Sequence, residues 1–184
     1  MAIMIIIGID PGQKGAIGVI HSDGSYDVHD LPTFETKKEV RSKRSITPKK
    51  VIQTKVFIDR KKLLELLDEI ISSDKSKPYQ CLCCIEKQQA MPDQSAISGF
   101  NTGKQYGEVL MALDALGISY EETTPKEWQK HFSIGRDTKG DSCRKAENLF
   151  PKLFLRGPRG GIFDGRSDAI LITLFYSRKI QGQV

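Results

Sequence analysis

A mixed α/β sheet with helices on its faces is the fold class the sequence predicts, on three observations. The chain opens with an apolar β-branched run, a Pro-Gly turn, a second apolar run and an Asp23-Gly24 hairpin signal. Together these read as consecutive antiparallel strands. Further along, helical apolar stripes alternate with two more short apolar runs, the pattern of strands joined by crossover helices. Finally, 184 residues can bury a full core without staples. No internal repeat or linker interrupts them, so one domain spanning 1–184 is expected.

The elements follow in order. The first strand is expected over Ile3 to Ile9, running into Asp10 and the Pro11-Gly12 turn. The second spans Ala16 to His21 and the third Tyr26 to Leu31. Thr33 to Lys55 is the least core-like stretch, with eight basic residues (Lys37, Lys38, Arg41, Lys43, Arg44, Lys49, Lys50, Lys55) against Glu35 and Glu39. It reads either as a solvated loop or loose hairpin, or as an arm lying along nucleic-acid phosphates. Asp59 is placed to cap a helix running to about Ser72, with Leu63, Leu64, Leu66, Leu67, Ile70 and Ile71 on one stripe. A buried strand, Cys81 to Ile85, ends in Glu86. Asp93 to Leu116 reads as a loop and then a helix, whose Gly99, Gly103 and Gly107 suggest close backbone approach. Ile118 to Thr123 supplies a fifth strand. Pro125 opens a short helix through Trp128 to His131. After a polar loop at Gly135 to Gly140, another helix ends near Phe150-Pro151. The Gly- and Arg-rich loop Gly157 to Gly161 precedes a last helix from about Asp164 to Lys179.

Composition narrows the class. Hydrophobic residues at 39% and charged residues at 28% describe an ordinary soluble protein. A formal net charge of +5 favours an anionic partner, though mildly. Of four cysteines, Cys81, Cys83 and Cys84 crowd one strand, where neighbours point to opposite faces. Their spacing suits neither zinc nor a disulfide framework, so they read as small buried hydrophobes in a reducing, cytoplasmic setting. The apolar N-terminus has no basic flank or small-residue cleavage site, so no signal peptide is expected. No run approaches the roughly 18 apolar residues of a membrane span.

Acids stand where a purely structural pattern would not put them. Asp10 ends the first strand, Glu86 follows the Cys81–Ile85 strand, and Asp164 and Asp168 are four apart on one helix face. If the first strand is central and lies beside the Glu86 strand, all four converge at one end of the sheet. Carboxylates brought so close repel, and their pKa values rise. Divalent cations relieve the repulsion, and an oxygen-only set without His or Cys suits Mg²⁺ or Mn²⁺. Two such ions about 3.5–4 Å apart are the usual apparatus for in-line attack of water on a phosphodiester. Alone, Asp164 and Asp168 could instead complement a helix dipole, and Glu86 could simply end a strand at the surface.

The sequence resembles the RuvC-type Holliday junction resolvases of the ribonuclease H-like superfamily, particularly their compact phage versions. The matching pieces are Gly8-Ile-Asp10-Pro-Gly12 with Gly15-Ala-Ile-Gly18, Cys84-Ile-Glu86-Lys and Gly103-Lys-Gln-Tyr-Gly107. Thr124-Pro-Lys-Glu-Trp-Gln-Lys130, Asp137-Thr-Lys139 and Asp164-Gly-Arg-Ser-Asp168-Ala169 complete the set, which spans nearly the whole chain. The resemblance implies a ribonuclease H-like mixed five-stranded sheet and a homodimeric, metal-dependent endonuclease. It would resolve four-way DNA junctions by paired symmetric nicks. Asp10, Glu86, Asp164 and Asp168 would hold two Mg²⁺, with Mn²⁺ as a substitute, and Lys139 would steady the scissile phosphate. Lys104, Lys126 and Arg159, with the Thr33–Lys55 arm, are candidates for backbone contact. Three residues separate Asp164 from Asp168, where cellular resolvases usually have two. Their aromatic wedge after the strand-end Glu is replaced here by Lys87-Gln-Gln-Ala-Met91, so base-pair opening would fall to a Gln (Gln88 or Gln89), to Met91 or to another element. The longer basic arm predicts broad structure selectivity and a weak preference for cleavage sequence.

Three readings compete with this one. A less specific nuclease of the same fold would cut forks, flaps or RNA–DNA hybrids. An actin-like ATPase also begins with Gly-Ile-Asp, but it needs a second phosphate loop that this chain lacks. A junction-binding module without catalysis would have no use for four carboxylates.

Overall fold

The structure is a computed structural model describing residues 4–41, 50–73, 80–135, 140–157 and 160–184. In chain order the elements are β1 (Met4–Asp10), β2 (Ala16–Ile20), β3 (Tyr26–Asp30), β4 (Thr33–Arg41), β5 (Lys50–Ile58), α1 (Arg60–Ser72) and β6 (Gln80–Glu86). They continue with α2 (Ala96–Ala115), β7 (Ser119–Thr123), α3 (Pro125–His131), α4 (Asp141–Leu149) and α5 (Asp164–Ile180). Boundaries fall within a residue or two of those expected. Among the described residues, five strands form one mixed sheet in the order β3-β2-β1-β6-β7. The central strand β1 pairs antiparallel with β2 and parallel with β6.

The alternation of side chains along β1 sorts the core into two layers. Ile5, Ile7 and Ile9 join Cys83, Ile85, Leu63 and Leu67 of α1, and Val109 and Leu113 of α2. Ile6 and Cys84 point the other way, into a layer with Trp128 of α3, Phe132 at its C-terminal cap, Ala146 of α4, and Ile170, Ile172 and Phe175 of α5. Cys83 and Cys84 thus fill opposite layers, and all four cysteines are free thiols.

Capping follows the sequence. The Asp59 carboxylate accepts from the Lys62 backbone N–H at 3.2 Å, and Leu63, Leu67 and Ile70 are the buried stripe of α1. Among the described residues no helix is long and apolar enough to cross a membrane.

Two expectations need correction. The basic arm is no loose loop where it is described. Strands β4 and β5 pair from Thr33↔Ile58 to Arg41↔Lys50 as a regular two-stranded ribbon. Its root is clamped: Phe34 and Phe57 stack with centroids 5.6 Å apart, and Gln105 of α2 donates to the Val56 carbonyl at 3.2 Å. The glycines of α2 do not serve close approach within this chain. A Cβ at Gly103 or Gly107 would meet nothing within 4 Å, and one at Gly99 only the Gln94 side chain.

Candidate active site

Register brings the first two acids together. Ile9 pairs with Ile85 across the parallel β1–β6 ladder, so Asp10 and Glu86 are the next residues on neighbouring strands. Both lie on the α5 face by alternation. The turn after Asp10 holds its carboxylate in place: the Gly12 backbone N–H donates to Oδ1 at 3.0 Å, and Gly15 N–H closes on the Gly12 carbonyl at 2.8 Å. A Cβ on Gly15 would lie 2.0 Å from the Asp10 carbonyl oxygen, so only glycine fits.

The other two acids arrive on α5, and glycines decide where that helix rests. Gly8 of β1 and Gly18 of β2 are cross-strand partners. A Cβ at either would approach Thr173 to 2.4–2.5 Å and the Ala169 carbonyl to 2.7–2.8 Å. Backbone therefore packs on backbone. At the near end of α5, a Cβ on Gly165 would sit 2.0 Å from the Lys14 carbonyl. Arg166 completes the anchorage with a two-pronged bond to Asp30 at the end of β3, both distances 2.6 Å. It also donates to the Phe154 carbonyl at 3.0 Å. The first two turns of α5, carrying Asp164 and Asp168, are thereby held over the ends of β1 and β6.

The electrostatics record this convergence. Burial pushes the Asp10 carboxyl up, against the pull of the Gly12 N–H, and the Asp164 charge adds to the rise. Glu86 is pushed up to about 7, mainly by burial and also by Asp10, while its bond to Trp128 opposes the shift. Asp168 is likewise pushed up to about 7 by burial; Ser142 opposes the shift, and Asp10, Glu86 and Asp164 all raise it. Asp168 Oδ1 is buried without a hydrogen-bond partner among the described residues. A hard divalent ion would meet the need of that oxygen and relieve the mutual repulsion, so this donor set fits Mg²⁺ or Mn²⁺. Among the described residues no three such side chains are gathered closely enough to hold an ion as they stand. Binding would have to draw them inward.

Two hollows flank the acids. One, of about 340 Å³, is lined by Asp10, Gly12, Lys14, Phe163 and Asp164. The other, of about 540 Å³, runs from Glu86 past Gln89 and Met91 to Lys126 and Gln129 of α3. Gln89 and Lys126 thus line the same hollow as Glu86.

The remaining candidates are scattered. Lys37 and Lys50 fall on one face of the β4–β5 ribbon, and Lys38 and Lys55 share the other with Phe34 and Phe57. Lys50 pairs with Glu39 at 2.8 Å in solvent. Lys104 is less free than a phosphate ligand should be, lying over the Phe57 ring at 5.6 Å and 3.9 Å from Glu108. Lys43, Arg44, Lys49, Lys139 and Arg159, and the side chain of Arg41, lie outside the described residues.

Sequence reasoning gave Trp128, the Gly8–Gly18 pair, Arg166 and Ser142 no part in the site. A glycine repeated within each of two paired strands was the one signal in view.

No protein-family model and no curated protein matches the sequence. Solved structures do. A T. thermophilus RuvC in complex with a Holliday junction substrate superposes with a TM-score of 0.51 at 14% identity, covering 98% of each chain. A second Thermus thermophilus RuvC structure gives 0.48 at 16% identity over 96% of each chain. The first match carries the fold: a ribonuclease H-like mixed sheet flanked by helices, arranged as in RuvC.

Proposed function

We propose that the protein is a metal-dependent endonuclease that resolves four-way DNA junctions by paired symmetric nicks. The supporting observation is the acid cluster. Burial raises the pKa values of Asp10, Glu86 and Asp168 at one end of a RuvC-like sheet, a neighbouring acid adds to each rise, and Asp168 Oδ1 lacks a partner among the described residues. Asp10, Glu86, Asp164 and Asp168 would hold two Mg²⁺ or Mn²⁺. When bound, such ions supply positive charge to the phosphate and activate water for in-line hydrolysis.

The chain's own residues organise this chemistry. The Gly12 N–H holds one Asp10 oxygen in place, and the Arg166–Asp30 fork keeps Asp164 and Asp168 over the strand ends. Lys139 would steady the scissile phosphate, with Lys126 and Gln89 in the groove beside Glu86. Lys37, Lys38, Lys50 and Lys55 of the ribbon would neutralise phosphates further along the DNA, with Arg41, Lys43, Arg44 and Lys49 joining them. Arg159 and Lys104 rank below these, Lys104 because its neighbours already engage it. We read the whole chain as one nuclease domain with the ribbon as its arm, working in the cytoplasm. A junction has two-fold symmetry, so we further propose that it acts as a homodimer.

The deciding experiment compares a labelled immobile four-way junction with a matched linear duplex, in Mg²⁺ or EDTA, for wild type and Asp10→Asn. Symmetric nicks in the junction alone, lost with EDTA and with Asp10→Asn while binding persists, are expected. Equal cutting of duplex, flaps or RNA–DNA hybrids would leave a general nuclease. Tight junction binding without cutting in either metal would overturn catalysis altogether.

A further inference from the structure

Trp128 is the only tryptophan in the chain. It is fully buried, yet its polar edge does not end in the apolar layer: Nε1–H donates to Glu86 Oε2 at 2.8 Å. A buried indole needs an acceptor, and a backbone carbonyl would have served. The acceptor here is a carboxylate at the end of a central strand, 42 residues away in sequence.

The helix that carries Trp128 is fastened to that same strand end. Thr123 stands opposite Glu86 in the β6–β7 register, and its carbonyl accepts from the Lys87 N–H at 2.8 Å. After the N-cap Thr124, α3 begins at Pro125 with a capping box. Glu127 Oε2 accepts from the Thr124 N–H at 2.7 Å, from Thr124 Oγ1 at 3.0 Å and from Thr123 Oγ1 at 3.1 Å. The indole is gripped on its apolar sides by Phe132 and its neighbours in the α5 layer. The Nε1–H is consequently a fixed donor, while Glu86 Oε1 accepts no hydrogen bond among the described residues.

We propose that Trp128 is a positioning residue for metal binding: by holding Oε2, it orders the Glu86 carboxylate so that Oε1 is the oxygen offered to the ion. The inference rests on the reading of Glu86 as a metal ligand. Without the N–H the carboxylate would rotate freely, and the entropy of ordering it would fall on the binding step. Partners that orient a ligand in this way typically alter metal affinity by about 10–100-fold.

The test titrates DNA-free protein with Mn²⁺ alone by calorimetry, for wild type, Trp128→Phe, Glu86→Ala and the double variant. Trp128→Phe should weaken Mn²⁺ about ten-fold in the wild-type background and not at all in the Glu86→Ala background. Loss by the same factor in both backgrounds would overturn the inference, since a merely structural role does not depend on Glu86. Unchanged affinity in Trp128→Phe would also overturn it. If Trp128→Phe misfolds by circular dichroism, benzothienylalanine at the sole tryptophan site keeps the shape, lacks the N–H and is held to the same two outcomes. A Glu86→Ala protein that binds Mn²⁺ as wild type does would remove the metal-ligand reading itself, a result distinct from failure at Trp128.

Discussion

At the scale of single residues, the site is a set of carboxyls held in costly positions. Asp168 and Glu86, ordinarily near 3.8 and 4.5, are both pushed up to about 7 by burial first and by neighbouring acids second. The sign of the consequence follows from linkage. Between about pH 4 and pH 7 the folded protein holds protons that the unfolded chain has released, so these groups make stability fall as pH rises. In EDTA, Asp168→Asn should therefore melt above wild type at pH 8, and the gap should shrink toward zero near pH 4. A gap of equal size at both pH values would show that repulsion at Asp168 is not its cause. If the acids hold Mg²⁺ as proposed, the order should reverse with saturating Mg²⁺, because only the wild type would keep all four proposed ligands. The acids themselves were legible in the sequence, because aspartate beside an apolar β-branched run is rare without a partner. Trp128 was not, because a tryptophan in an amphipathic helix is ordinarily read as core, and nothing local says which atom its N–H meets.

At the scale of elements, the decisive contact is α5 on the Gly8–Gly18 pair. Gly18→Ala would place a Cβ 2.5 Å from Thr173 Oγ1. Overpacking of this kind costs about 1–3 kcal/mol, and here it also lifts Asp164 and Asp168 from the strand ends. Cleavage should then fall more steeply than thermal stability does. Equal junction cleavage by a folded Gly18→Ala protein would show that the close seat is not needed. The β4–β5 ribbon makes a separate prediction. Replacing Lys37, Lys38 and Lys55 with Gln should weaken junction binding and flatten its salt dependence by about 0.9 for each phosphate no longer neutralised. An unchanged slope in a filter-binding series would remove the ribbon from the DNA interface. Sequence reading went no further than a loop, a loose hairpin or an arm because lysine and threonine occupy both faces, so the period-two pattern had no apolar side to declare itself. Its pairing is stabilised at the root, by the Phe34–Phe57 stack and the Gln105 bond, which are long-range contacts.

At the scale of the molecule, β1, β3, β6 and β7 all end at one edge of the sheet, and β4 starts and β5 ends there too. The ribbon therefore springs from the edge that carries the acids, with Asp59 N–H bonded to the Pro32 carbonyl and Leu31 N–H to Gly15 beside the Asp10 turn. A phosphate at the acids and a backbone running along the ribbon are thus compatible with one bound strand. For the proposed dimer, the described surface best suited to be buried by a second copy is the outer face of α2. Ile97, Phe100 and Met111 are 75%, 73% and 65% exposed there, and Gly103 and Gly107 are open in front of them. Phe100→Glu should convert a sedimenting dimer to monomer and abolish the pairing of nicks while single nicks persist. A wild type that sediments as a monomer, alone and on a junction, would remove the dimer.

The sequence by itself determined the chain order of the five sheet strands and of the helices, and the cap at Asp59. It also placed Asp10 and Glu86 at strand ends, since periodicity, turn chemistry and residue type are local properties. Tertiary structure alone decided how α5 lies on the sheet, that Arg166 reaches Asp30 across 136 residues, and that Trp128 holds Glu86. Those contacts join residues far apart in the chain, and only the packing of whole elements determines which groups meet. The acids and their convergence could be anticipated from the chain, but the burial that contributes most to their raised pKa values could not.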